Sequence, residues 1–416
     1  MRVLWITNII FPVVSETLGL TTTVFGGWMT SSLTALRESS QESSYAVATI
    51  YKGDDLKVLK KDSVVYYLLP TSKNSTIYDK SLESIWQRIQ KDFKPDVVHI
   101  HGTEYAHGLA YIRACGAKNV CVSIQGLVSI YSQYYYAGIH IIDIVKNITF
   151  RDIVKFDTLF QQRRKFERRG ELEKEYLKSV SHIIGRTSWD KAHSWAVNPK
   201  AKYHLCNETL RTSFYKHRWS YDRCEKYTIF LSQASYPIKG LHIVMEAMSF
   251  VLRHFPDTRI RVAGDNIIDK PFYRISGYGK YIRSLMKKLN LEDKVTFLGT
   301  LTEEQICQEY LKANVFICPS AIENSPNSLG EAQILGVPSL ASYVGGTSDM
   351  MVGNEEHLYR FEEVEMLAYS ICSIFQKKGN DYIVSPNQAM KRHNVRNNSR
   401  QLIEIYNTII ANQKLL

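Results

Sequence analysis

Residues 315–346 read VFICPSAIENSPNSLGEAQILGVPSLASYVGG, and this stretch decides the fold. It begins with a short apolar run, Val315 to Cys318, the pattern of a buried strand. A polar, turn-rich loop follows from Ser320 to Asn327. A helix is expected from Ser328 to Leu335, with Asn327 or Ser325 placed to cap it and Gly336 and Pro338 placed to stop it. A second buried strand, Val337 to Tyr343, runs into Gly345-Gly346. Strand, loop, helix and strand in this order belong to an open α/β sheet, where ligands bind just beyond the carboxyl ends of the strands.

Two carboxylates mark the stretch: Glu323 and, after seven intervening residues, Glu331. The backbone amides of Asn327, Ser328 and Leu329 stand at the helix start, where N–H groups lack intrahelical partners and present partial positive charge to a phosphate. One acid precedes these amides and the other sits inside the helix. The two could therefore hold hydroxyls on either side of a diphosphate, a sugar on one side and a ribose on the other. The alternative is that Glu331 merely favours the positive end of its helix and Glu323 is a solvated loop residue.

With Glu323, Glu331-Ala332, Gly336, Pro338 and Gly345-Gly346 in place, the stretch resembles the donor-sugar site of retaining glycosyltransferases of family 4. The resemblance runs from about Val3 to about Met350. It implies an α/β protein of the GT-B fold: two facing Rossmann-like domains with the active site in the inter-domain cleft. It also implies Glu323 on sugar hydroxyls, Glu331 on the ribose, and the Asn327, Ser328 and Leu329 amides with Lys239 on the diphosphate. The sequence offers no acidic metal-binding triplet, so amides and lysine are expected to neutralise the phosphates. No cofactor or metal is expected beyond the nucleotide-sugar co-substrate, for which a UDP-sugar is the family's commonest choice.

Composition sets the bounds. A chain of 416 residues suffices for two domains with full cores. Its seven cysteines are scattered and form no C-x-x-C pair, which argues against a disulfide framework or zinc ribbon and for a reducing cytosol. Met1 to Asn8 reads as a strand rather than a signal peptide, and no apolar run approaches the roughly 18–20 residues of a membrane span. A formal net charge of +11 suits visits to an anionic surface: phospholipid, a lipid pyrophosphate or nucleic acid. Nucleic acid is not expected as a partner, because no RNP, KH, helix-turn-helix or zinc-finger signature accompanies the charge. The expected location is cytoplasmic, peripheral to the inner face of the cell membrane.

In the N-terminal half, Val3–Thr7 reads as the first strand and opens onto a loop from Asn8 to Gly27. Gly26-Gly27 precede a helix expected near Met29 and match the family's turn across from the donor diphosphate; an ordinary strand-to-helix turn is the alternative. Lys94-Pro95-Asp96 ends a helix, and Val97 to Gly102 (VVHIHG) forms a buried strand matching the family's fourth-strand motif. His101, at that strand's carboxyl end, is better placed for substrate than His99; a hydrogen-bonded core histidine is the alternative. Gln125 stands where many relatives have a histidine near the transferred sugar, and it cannot carry a proton near neutral pH. In the front-face mechanism usually proposed for the family, the leaving phosphate oxygen takes that proton instead. The segment 127–178 combines tyrosines and phenylalanines with Arg163, Arg164, Lys165, Arg168 and Arg169. It reads either as an amphipathic surface for an anionic bilayer or polyprenyl pyrophosphate, or as helices with a solvated basic face.

Lys239-Gly240 match half of the family's diphosphate clamp, whereas Gln233 or Ala234 stands where the clamp arginine belongs. One cation facing two phosphates is a weaker clamp, and Arg186, expected at the end of a strand, is the candidate replacement. The expected domains are 1–208, carrying the 127–178 insert and binding acceptor, 209–392, binding nucleotide sugar, and a C-terminal helix within 393–416 that returns to the first domain.

The function these features imply is transfer of a sugar from a nucleotide-diphosphate sugar to an acceptor hydroxyl. The expected acceptor is a glycan or polyprenyl-pyrophosphate-linked intermediate of capsule, exopolysaccharide or other cell-envelope synthesis. A GT-B sugar-nucleotide epimerase would use the same donor site without an acceptor, and a non-catalytic relative would fit the missing arginine. A dehydrogenase is excluded, since the first βα turn lacks G-x-G-x-x-G.

Overall fold

A computed structural model describes residues 1–20, 26–378 and 386–413, so part of the loop before Gly26 lies outside the described residues. The chain divides into two units: Met1–Ile130, Glu167–Thr209 and His393–Leu416 form the first, Tyr131–Phe166 and Leu210–Arg392 the second.

The first unit is built on β1 (Arg2–Ile6), β2 (Ser44–Tyr51), β3 (Lys57–Lys61), β4 (Val64–Pro70), β5 (Val97–His101), β6 (Val120–Ser123), β7 (His182–Gly185) and β8 (Lys202–Leu205). Their order is β3-β4-β2-β1-β5-β6-β7-β8, with only β3 antiparallel to its neighbour. Alternation along the strands fills both faces, because successive side chains point to opposite sides. Leu4, Ile6, Val98 and Ile100 join Trp86 and Tyr111 in one core. Val3, Trp5 and Val97 join Met29, Leu33 and Leu36 of helix Gly27–Ser39 in the other. Helix Val395–Gln413 closes this second face with Ile405, Tyr406 and Ile409.

His99 lies on the same face as Trp5 and is wired into it. Trp5 Nε1 donates to the Tyr406 hydroxyl at 2.9 Å, and that hydroxyl lies 2.7 Å from His99 Nδ1. Indole is a donor only, so the Tyr406 hydroxyl accepts from Trp5, and His99 Nε2 lies 2.5 Å from Ser123 Oγ. Burial holds the imidazole well below its usual pKa, so the ring is neutral.

The second unit carries β9 (Thr228–Leu231), β10 (Arg259–Val262), β11 (Val295–Phe297), β12 (Val315–Cys318), β13 (Ser339–Ser342) and β14 (Leu358–Tyr359). The order is β11-β10-β9-β12-β13-β14, parallel throughout. Phe230, Phe316, Tyr310, Leu329 and Leu335 sit in its core. Both units are therefore Rossmann-like: open, mostly parallel sheets covered by helices on both faces.

Residues 131–166 were expected within the first domain, and they group instead with the second unit. Polar bonds explain it. Thr149 Oγ1 donates to the Ile275 carbonyl at 2.9 Å, Gly277 N donates to Asp152 at 2.8 Å, and His242 Nε2 donates to the Ala137 carbonyl at 2.7 Å. Among the described residues no helix is long and apolar enough to cross a membrane.

Candidate active site

In the second sheet the strand order reverses between β9 and β12, and a crevice opens beyond the carboxyl ends of strands at such a point. The loops leaving these two strands carry Lys239 and Glu323. Lys239 ends the 3-10 turn Pro237–Lys239. Its Nζ lies 2.5 Å from Glu323 Oε1, which also accepts the Ser320 hydroxyl at 2.9 Å. Burial alone would push the lysine's pKa down, but the adjoining carboxylate outweighs it and holds the ammonium well above its usual value. Two glycines let the backbones meet. A Cβ on Gly240 (φ +69°) would sit 1.7 Å from the Pro319 carbonyl oxygen, and one on Gly345 (φ +51°) 1.8 Å from that of Glu323. Glu323 is thus a buried, paired side chain (7% exposed) rather than a solvated loop residue.

Helix Asn327–Leu335 begins one residue earlier than expected, and its cap is Pro326 rather than Asn327 or Ser325. Ser325 turns its hydroxyl to Met350 Sδ at 3.6 Å instead. Proline has no side-chain acceptor, so the cap residue itself makes no side-chain bond to the helix. Asn327 and Ser328 are its first two residues; Leu329 N is already spent on the Pro326 carbonyl at 3.0 Å. The expectation of three unpaired amides is corrected there, because the first turn tightens to a three-residue repeat.

Glu331, in the second turn, is buried and held in a two-pronged pair: Arg211 Nε and Nη2 each donate to one carboxylate oxygen at 2.7 Å. Burial pushes the Glu331 pKa up and Arg211 pulls it back, while the pair holds the Arg211 guanidinium protonated against its own burial. Both acids of the stretch are therefore matched by cations of the same unit. Sequence reasoning missed Arg211, which lies 120 residues from its partner. Its one visible signal is an arginine in the otherwise unassigned stretch between Cys206 and Tyr227.

In the first sheet the order reverses between β1 and β5. Gly26 caps helix Gly27–Ser39 with a left-handed backbone and without a side-chain bond, so Gly27 opens the helix two residues before Met29. His101 ends β5 buried, its ring centroid 3.8 Å from that of His99 and 4.3 Å from that of Trp5. Neither ring nitrogen has a hydrogen-bond partner among the described residues, and burial pulls its pKa down to about 3. It borders a cavity of about 40 Å³ together with Trp28, Arg186 and Glu208. Arg186 is committed here: Nη2 donates to the Ile124 and Gln125 carbonyls at 3.0 and 2.9 Å, and Nη1 pairs with Glu208 at 2.8 Å. Its guanidinium charge is already answered within the first unit, and it anchors the backbone at Gln125.

Glu104, three residues past His101, was not singled out from the sequence. Burial pushes its carboxyl up to about 7, and Oε2 has no hydrogen-bond partner among the described residues. That oxygen lies over Gly102, where a Cβ would meet it at 2.3 Å and the Gln125 side chain at 3.3 Å. Among the described residues no group of three or more His, Cys, Asp or Glu side chains could hold a metal ion.

Residues 214–401 match the family model of glycosyl transferases group 1. The matched stretch contains Lys239, Glu323 and Glu331. The D-inositol 3-phosphate glycosyltransferase of Corynebacterium urealyticum is 26% identical over 179 residues, 41% of this chain and 41% of that relative. The aligned stretch thus spans less than half of that relative's length. The sucrose-phosphate synthase of Thermosynechococcus elongatus superposes with a TM-score of 0.72 at 15% identity, covering 99% of each chain. HepE of Anabaena, solved in complex with UDP and glucose, gives 0.62 at 14% identity, covering 98% of this chain and 100% of that one. At such identities the likeness shows the fold: two parallel-sheet Rossmann-like domains of the GT-B class.

Proposed function

We propose that the protein is a retaining glycosyltransferase that moves a sugar from a nucleotide-diphosphate sugar, a UDP-sugar first among candidates, to an acceptor hydroxyl. The acceptor would be a lipid-linked or polysaccharide intermediate of cell-envelope synthesis, met in the cytoplasm at the inner membrane face. The observation that carries this reading is the Lys239–Glu323 pair, at 2.5 Å, at the sheet's switch point in the same stretch as a helix start.

The arrangement suits a diphosphate. An incoming leaving group offers Lys239 a stronger negative partner than Glu323 and frees that carboxylate to accept sugar hydroxyls. The helix start adds partial positive charge without a metal. Glu331 still has lone pairs for ribose hydroxyls, since Arg211 uses one on each oxygen. Gly26-Gly27 are assigned to the donor diphosphate and His101 and Gln125 to substrate hydroxyls, with the proton going to the leaving phosphate oxygen because neither His101 nor Gln125 is a base at neutral pH. Arg186 would position Gln125 rather than bind phosphate.

The test is a thermal-shift panel of sugar nucleotides followed by turnover of Lys239→Ala. A donor that binds only the native state raises the midpoint, and loss of a preorganised charge should lower kcat by roughly 10²–10³-fold. Near-normal turnover in that variant would falsify the donor site. An epimerase would release nucleotide at the same rate with and without acceptor.

A further inference from the structure

Two short helices of the second unit, Ile141–Lys146 and Phe150–Val154, turn their apolar side chains outward. In the first, Ile141, Ile142 and Val145 are 54–59% exposed, and Ile144 is buried. In the second, Phe150, Ile153 and Val154 are 58–63% exposed, while the buried side chain is Asp152. Phe156, 72% exposed, continues the strip. This inverts the usual surface helix, which hides its apolar stripe and shows its charges.

The inversion is built in. Asp152 and Thr149 form a capping box, and the bonds from Thr149 to Ile275 and from Gly277 to Asp152 fasten the polar side inward. Lys280 Nζ adds a bond to the Lys146 carbonyl at 3.0 Å. Phe272 (77% exposed) and Tyr273 (55%) stand just before Ile275 in the chain, and Arg274 beside them is exposed.

Charge selects the occupant. Among the described residues between 140 and 156, every exposed side chain is apolar or one of His140, Lys146 and Lys155. The acids are withdrawn: Asp152 is buried, Asp143 is half-buried, and Asp157 pairs with Arg151 at 2.9 Å and Lys165 at 2.8 Å. A second copy packed on this strip about a twofold axis would set like charges together. An anionic lipid surface answers both the lysines and the apolar side chains between them.

We propose that the outward faces of helices Ile141–Lys146 and Phe150–Val154 dock the protein on an anionic lipid bilayer. This deepens the membrane-surface part of the proposed function and rests on it for purpose, though its test needs no turnover. Much of the basic cluster 163–169 that stands out in the sequence is engaged elsewhere: Lys165 is paired with Asp157, Arg163 covers the Tyr136 ring, and Arg169 Nε donates to the Glu104 carbonyl at 3.0 Å, while Arg164 and Arg168 are exposed.

The full chain is to be cosedimented with vesicles of phosphatidylglycerol and phosphatidylcholine, and with phosphatidylcholine alone. The wild type should partition onto the anionic vesicles, and Phe150→Ser/Ile153→Ser/Phe156→Ser should weaken this by at least about tenfold. Lys146→Glu/Lys155→Glu, which leaves the apolar strip and the fold alone, should weaken it by about tenfold or more on anionic vesicles only. Unchanged midpoints and UDP-induced thermal shifts report that both variants are folded; should the triple variant unfold, the lysine variant decides. Wild type that ignores the vesicles, or variants that bind as it does, overturn the proposal. So does light scattering that shows a dimer dissolved by the triple variant, which would make the strip a self-association face. Vesicle binding without any sugar-nucleotide shift would instead sink the transferase reading and leave this one standing.

Discussion

Arg211 and Glu331 are the pair whose disruption should be felt most. Both are largely buried, with side-chain exposures of 17% and 5%, and each is the other's ion partner. Taking one partner away strands a charge in a poorly solvated place, which typically costs about 3–5 kcal/mol. Arg211→Ala should therefore lower the urea-unfolding free energy by that order, whereas Arg211→Ala/Glu331→Gln should recover much of it. Equal losses in the single and double variants would show that packing of Arg211 on the Phe214 ring, 4.8 Å away, matters more than the charge. Glu104 gives a pH signature. Its folded pKa of about 7 exceeds the ordinary 4.5, so between those values the folded state holds a proton that the unfolded chain has released. Stability from this group is present at low pH and falls as pH rises through that window. Glu104→Gln should flatten the stability profile there, measured by chemical unfolding at a series of pH values. Glu323, Glu331 and Lys239 were legible in the sequence because their spacing sits on one strand–loop–helix unit and on a Lys-Gly turn. Arg211 and Glu104 were not, since a cation 120 residues away and a carboxyl buried by its surroundings leave no local pattern.

At the level of elements, the central strands of the parallel sheets announced themselves as apolar runs, for they are covered on both faces, whereas the edge strand β8, Lys202–Leu205, has no buried residue and gave no such run. Nor did β3: Lys57–Lys61 is an exposed edge strand whose lysines hide the pattern and discourage further pairing. Helix Pro12–Thr17, inside what reads as a loop, is short and opens with the proline that suggested a turn. The helix cap at Pro326 was missed for a related reason, since Ser325 and Asn327 flank it and each is a better cap by type. The turn at Gly240 makes the sharpest element-scale test. A Cβ there would enter the Pro319 carbonyl at 1.7 Å, and the positive φ adds strain for any other residue. Gly240→Ala should cost roughly 1–3 kcal/mol and shift Lys239 away from Glu323. The measurement is the thermal midpoint with and without sugar nucleotide, and a variant with normal stability and normal donor shift would show that this close approach is not needed.

For the whole molecule, the order of the chain and the order of the units differ. The last helix follows the second unit in sequence but closes the Trp5 face of the first sheet, and its Tyr406 hydroxyl links Trp5, His99 and Ser123 into one buried chain of hydrogen bonds. Tyr406→Phe keeps the ring and removes the link, leaving the Trp5 indole N–H and His99 Nδ1 without their partner. The expected cost is about 1–3 kcal/mol. Because the two units have separate cores, that cost should fall on the first alone. Tryptophan fluorescence that includes Trp5 should melt earlier in this variant, while the sugar-nucleotide shift, which reports residues 210–392, should keep its size. A shift that collapses together with the fluorescence midpoint would mean that the two units unfold as one cooperative body, and the stability of the donor site could then not be separated from that of the face which Tyr406 closes.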